Sequence, residues 1–267
     1  MLFNSKWLEE ARSLKKNNTW IHQVLDTWDK AGANYLDNLR KLFCSYPDVG
    51  DVKKDLANRI QSFKDEDHLG AANELSCWAF LKRAGFECKP IPRSGEQTPD
   101  FHVFAPTEFF VEVTTLNISR EEREKIACGN HIWLNQGNTL TRILRKPKEK
   151  QKQFLYGAEK QKPCVLVLFD YAFWSGVGTK LDQHIGIHLL EKQGFHCLPT
   201  ELSALIYLKR CVIEKGRLAI HLPGSAIYYN PNASAPLPLE TFAFLRQFTC
   251  ELVEPKASTS TDEWVCL

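Results

Sequence analysis

The run Pro-Cys-Val-Leu-Val-Leu-Phe-Asp at 163–170 constrains this chain more than any other stretch. An unbroken apolar run of that length, bounded by proline and aspartate, reads as a strand buried on both faces. It is preceded by a polar, helix-patterned segment, Leu140 to Gln161, in which Pro147 is expected to break the helix. Before that come two short Val- and Phe-rich runs, 100–104 and 109–115, separated by the turn-forming Ala-Pro-Thr-Glu. Strands with a helix between them imply an α/β fold with a mixed central sheet flanked by helices.

The first 64 residues differ in character. Trp7, Leu8, Ala11 and Leu14, then Trp20, Val24, Leu25 and Trp28, then Tyr35, Leu36, Leu39 and Phe43 recur at helical spacing. Asn4, Asn18 and Asn34 fall where helices would start, and Pro47 with Gly50 ends the series. The expected organisation is an N-terminal helical region over 1–64, an α/β domain over 65–253 and a polar, mobile tail over 254–267. Further strands are expected in Leu-Ser-Ala-Leu-Ile-Tyr-Leu, Arg-Leu-Ala-Ile-His-Leu and Ser-Ala-Ile-Tyr-Tyr-Asn after residue 201, and a helix over 181–195.

Lys and Arg number 34 against 32 acids, so any basic surface must be local and the net charge selects no partner class. Nine scattered cysteines, without a CxxC pair, fit a reducing, cytoplasmic setting better than a disulfide framework or a structural zinc site. The charged N-terminus does not read as a signal peptide, and no stretch has the length of a membrane span.

The chemistry concentrates in Thr-Pro-Asp-Phe-His-Val-Phe-Ala-Pro-Thr-Glu-Phe-Phe-Val-Glu-Val-Thr-Thr-Leu, residues 98–116. Asp100 opens the first strand, and Glu112 interrupts the second with Phe110 and Thr114 on its own face. A hairpin over these runs sets the two acids side by side. An ionised carboxylate inside an apolar strand needs a cation, a hydrogen-bond cluster or solvent. Upstream, Ala71, Leu75, Trp78 and Ala79 form a helical stripe bordered by Glu74, which a helix packed on the sheet could bring to the same place. Three such carboxylates suit a hard divalent cation, Mg2+ first and Mn2+ as a substitute, which acidifies bound water and neutralises phosphate charge.

This combination resembles the PD-(D/E)xK superfamily of restriction-endonuclease-like nucleases: Glu74 on a helix, Pro99-Asp100, then Glu112 in Glu-Val-Thr, followed by Lys-Gln-Lys-Gln-Phe on the next helix. The resemblance spans roughly 65–170. It implies metal contacts from Asp100, Glu112 and the Val113 carbonyl, with Glu74 acting directly or through water. It also implies a nuclease acting on DNA in preference to RNA. Thr114 stands where the family has its lysine, and a threonine hydroxyl can orient water but supplies no positive charge. Lys82, Lys150 and Lys152 are the candidates to replace it.

The segment from Arg142 to Lys162 is strongly basic, with Lys148 and Lys152 among residues suited either to phosphate contacts or to a solvated helix face. Arg93, in the loop before the hairpin, is a further candidate phosphate contact. Gln153 and Lys150 share one side of a helical turn and could both face the site. His184 and His188 lack a third ligand, and Ser-Gly-Val-Gly-Thr-Lys at 175–180 lacks the phosphate-loop spacing. The N-terminal helices would recognise substrate, form a homodimer or dock a partner. The rival readings are a fold relative that binds nucleic acid or serves as a scaffold without cleaving, and an interaction protein with no nucleic-acid role.

Overall fold

A computed structural model of the chain describes residues 2–14, 29–92, 97–117, 121, 136–170, 185, 194–213, 217–250, 258–260 and 262–267. Over these residues it is a mixed α/β structure with six helices and a seven-stranded sheet. The helices are α1 (Ser5–Ser13), α2 (Asp29–Ser45), α3 (Gly50–Ile60), α4 (Asp65–Arg83), α5 (Gln136–Glu149) and α6 (Gln151–Ala158). The strands are β1 (Glu87–Pro90), β2 (Phe101–Ala105), β3 (Phe109–Leu116), β4 (Cys164–Asp170), β5 (Ala204–Leu208), β6 (Arg210–Ile213), β7 (Arg217–His221), β8 (Ala226–Tyr229), β9 (Arg246–Phe248) and β10 (Trp264–Cys266).

The large sheet runs β1-β2-β3-β4-β5-β8-β9. Strands β1, β2 and β3 form an antiparallel meander, and β3, β4 and β5 are parallel, with α5 and α6 between β3 and β4 in the chain. The continuous apolar run at 164–169 takes the central place, as a strand covered on both faces should. Alternation along β3 separates two cores. Phe109 and Val111 face the cluster shared with α2, α3 and α4, while Phe110 and Leu116 face the cluster shared with α5 and α6.

Helix α4 is buried almost all round from His68 to Leu81, because β3 packs on one side and α2 and α3 on the other. Residues of the first 64, among them Phe3, Tyr35, Leu39, Leu56 and Ile60, join the same core as Phe101 and Val111. The N-terminal helices are therefore one face of the α/β body.

Several expectations are corrected. Pro147 lies inside α5, and the break falls at Lys150, where the chain leaves helical geometry for one residue before α6. Asn4 does cap α1, its side chain accepting from the Trp7 N–H at 2.9 Å, but Asn34 sits within α2. The C-terminal residues are not a free tail: Trp264–Cys266 pair antiparallel with β7 in a second sheet, β10-β7-β6. Asn18, the helix expected over 181–195 apart from Ile185 and residues 194–195, the His184–His188 pair and the 175–180 turn lie outside the described residues. The eight described cysteines are unbridged, and no described helix is long and apolar enough to cross a membrane.

Candidate active site

The hairpin register decides where the acids go. Phe101 pairs with Val111, so β2 begins opposite the middle of β3 and leaves the second half of β3 without a partner on that side. Asp100, the residue just before β2, fills the gap: its carboxylate oxygen Oδ2 accepts from the Val113 N–H at 2.8 Å. A side chain thus takes over the ladder bond that a longer strand would have made. In an extended strand the N–H and C=O of one residue point to the same side, so the Val113 carbonyl is aimed at the same open edge.

Around this splayed edge lies a polar cleft of about 550 Å³. Glu112 and Thr114 line it from the α5/α6 face of β3, Glu74 enters from α4, and Lys146, Lys150 and Gln153 close it from α5 and α6. Lys150 Nζ lies 2.7 Å from Glu112 Oε1. Helical spacing supplies the reason: Lys150 lies four residues beyond Lys146 and seven beyond the buried Ile143, on the side of the segment that faces β3, whereas Arg145 and Lys148 fall on the exposed side. One turn on, the Gln153 N–H donates to the Lys150 carbonyl at 3.1 Å. The Gln153 side-chain oxygen is buried at the cleft wall with no hydrogen-bond partner among the described residues.

Glu74, 4 % exposed, is gripped from the N-terminal helices. The Tyr46 hydroxyl donates to Oε1 at 3.2 Å, and the Arg59 guanidinium binds Oε2 while its Nε holds Asp55 at 2.8 Å. Neither Tyr46 nor Arg59 stood out in the sequence as a site residue. Arg59 looks like ordinary amphipathic-helix content and Tyr46 like the residue that ends a helix, and only the packing of α2, α3 and the link between them on α4 brings the two to the acid.

The electrostatics follow from this crowding. Burial pushes the Asp100 carboxyl well above the usual carboxylate range, and the Glu112 and Glu74 charges push it further. The Val113 N–H and Lys150 oppose that rise without cancelling it. Burial likewise raises the Tyr46 phenol, and the Glu74 charge adds to it, so Tyr46 acts as a neutral donor. The Glu74 carboxylate keeps Arg59 protonated despite burial.

The structure therefore brings together Glu74, Asp100, Glu112, Val113, Thr114, Lys150 and Gln153. Lys82 is elsewhere: it is exposed near the end of α4, about 12 Å along the axis from Glu74, where its charge acts on Cys88. Lys148 and Lys152 are exposed and do not line the cleft. Arg93 lies outside the described residues.

As a cation site, the cleft offers carboxylate, carbonyl, hydroxyl and amide oxygens, the donor set of a hard divalent ion, and among the described residues no His or Cys lines it. Among the described residues, no three acidic, His or Cys side chains gather into a ready coordination group, since Glu74 is turned to Arg59 and Tyr46. The donors that fit a cation are Asp100, Glu112 and the Val113 carbonyl. The chain matches no known protein-family model, no curated protein sequence and no solved structure.

Proposed function

We propose that this chain is a metal-dependent nuclease with a restriction-endonuclease-like fold, hydrolysing phosphodiester bonds in DNA in preference to RNA. The observation that carries the reading is the Lys150–Glu112 ion pair. The resemblance leaves a lysine missing at Thr114, and a lysine from another element occupies the neighbourhood of the acid that the missing one would flank. A structural salt bridge alone would not need the second carboxylate at the same edge, where Asp100 and Glu112 each raise the cost of ionising the other.

A bound Mg2+, held by Asp100, Glu112 and the Val113 carbonyl, would acidify a coordinated water and neutralise charge on the scissile phosphate. The chain's own groups do the rest. The Val113 N–H fixes the Asp100 carboxylate, and Lys150 fixes Glu112 while presenting a positive charge to the phosphate as negative charge develops there. The Thr114 hydroxyl and the unpartnered Gln153 oxygen face the same cleft, positioned to orient water by hydrogen bonding.

The second reading is a fold relative that binds nucleic acid without cutting it; Thr114 itself favours that reading. Cleavage of supercoiled plasmid and single-stranded DNA with Mg2+, Mn2+ or EDTA separates the two. The nuclease reading expects metal-dependent cutting that disappears in folded Asp100→Ala and Glu112→Ala. Salt-sensitive binding with no cutting under any of these conditions would leave the binding-only reading in place.

A further inference from the structure

We propose that Arg59 and Tyr46 are positioning residues that hold Glu74 outside the coordination shell of the cation, leaving Asp100 and Glu112 as its two carboxylate ligands. This rests on the metal-dependent reading above and assigns the N-terminal helices a part in the site itself.

The geometry is specific. Glu74 uses one oxygen for the Tyr46 hydroxyl and the other for the Arg59 guanidinium. Both donors are themselves fixed. Arg59 is tied one turn back to Asp55, and the Tyr46 ring, 1 % exposed, packs edge-on against Trp78 at 5.5 Å and Phe101 at 6.3 Å. For Glu74 to swing onto a cation beside Asp100, it would have to give up the Arg59 guanidinium and the Tyr46 hydroxyl, leaving the partly buried Arg59 with Asp55 as its remaining carboxylate among these contacts. Glu74 lines the same cleft as Asp100, yet its oxygens are engaged by donors on the helical side. Arg59 thereby sets how many carboxylates the cation meets, and α3 becomes a structural determinant of metal affinity.

Calorimetric titration of the full chain with Mn2+ alone, without nucleic acid, tests this. Glu74→Gln should change the affinity by no more than about threefold, the effect of removing one charge at a distance. Asp100→Asn and Glu112→Gln should each weaken it by about tenfold or more, as loss of a direct ligand requires. Arg59→Met should tighten binding about tenfold by releasing Glu74 toward the ion, and adding Glu74→Gln should take that gain back. Where Arg59→Met does not fold, judged by circular dichroism, Arg59→Gln, which also removes the guanidinium charge, provides the release, with the same reversal by Glu74→Gln. A loss in Glu74→Gln as large as that in Glu112→Gln would make Glu74 a ligand and overturn the proposal while leaving the nuclease reading standing. No Mn2+ binding by the folded wild-type chain would overturn both.

Discussion

Lys150 Nζ and Glu112 Oε1 are 2.7 Å apart, although the two residues stand on different elements and 38 positions apart in the chain. The pairing places a fixed positive charge beside the strand that lacks the expected lysine. Thr114, two residues beyond Glu112 on the same face of β3, leaves room at the cleft wall that a lysine there would have filled.

The Asp100 carboxyl gives a stability signature of the site. Its affinity for protons is higher in the folded chain than the ordinary value of 3.8, so between the two values the native state binds a proton that the unfolded state has lost. Stability contributed by this group is present below the unfolded value and is lost as pH rises through the folded one. Asp100→Asn should therefore stabilise the protein at pH 8 by about 1 kcal/mol, raising the melting temperature by about 2–4 °C. The gain should shrink toward zero as the pH falls to 4. Calorimetric melts of both proteins across that range would show it, and a gain independent of pH would place its origin elsewhere.

Helix α6 carries Gln153 and follows Lys150, so its seating on the sheet matters. At Gly157 a methyl group would collide with the Cys164 sulfur and would stand 3.0 Å from Phe110 Cδ2 and 3.3 Å from the Lys162 carbonyl. Gly157→Ala should cost about 1–3 kcal/mol despite the better helix propensity of alanine. A lower melting temperature is the expected result, and an unchanged or higher one would mean that α6 does not pack as described.

Lys148 and Lys152 are exposed on α5 and α6, within two residues in sequence of the cleft-lining Lys146, Lys150 and Gln153. If DNA crosses this surface to reach the acids, the double variant Lys148→Ala/Lys152→Ala should reduce the salt slope of log K against log salt concentration by about 2, at about 0.9 per phosphate contact. Fluorescence anisotropy with a labelled duplex at several salt concentrations measures this directly. An unchanged slope would remove both lysines from the path.

Much of this arrangement is legible in the sequence, and the reason differs by residue. Alternation fixes which face of β3 carries Glu112 and Thr114, and a short hairpin leaves little choice about where Asp100 falls. The choice among Lys82, Lys150 and Lys152 is not legible, because it depends on which side of the helical segment packs on β3. Pro147 suggested a break three residues too early, whereas the helix tolerates it and breaks at Lys150. Arg59 and Tyr46 carry no local signal at all, since their roles arise from the packing of α2 and α3 against α4. The polar stretch before Trp264 hid a short strand for a related reason: pairing with β7 supplies the order that composition alone does not.

The most direct measurement is the single-turnover rate of plasmid cleavage in Mg2+ by the wild-type chain, Lys150→Ala and Lys150→Ala/Thr114→Lys. Loss of a charge aimed at the developing phosphate charge should slow Lys150→Ala by about 10²–10³-fold. Returning a lysine at position 114 should recover part of that rate. Cleavage by Lys150→Ala at the wild-type rate, or wild-type cleavage no faster than in EDTA, would contradict the account.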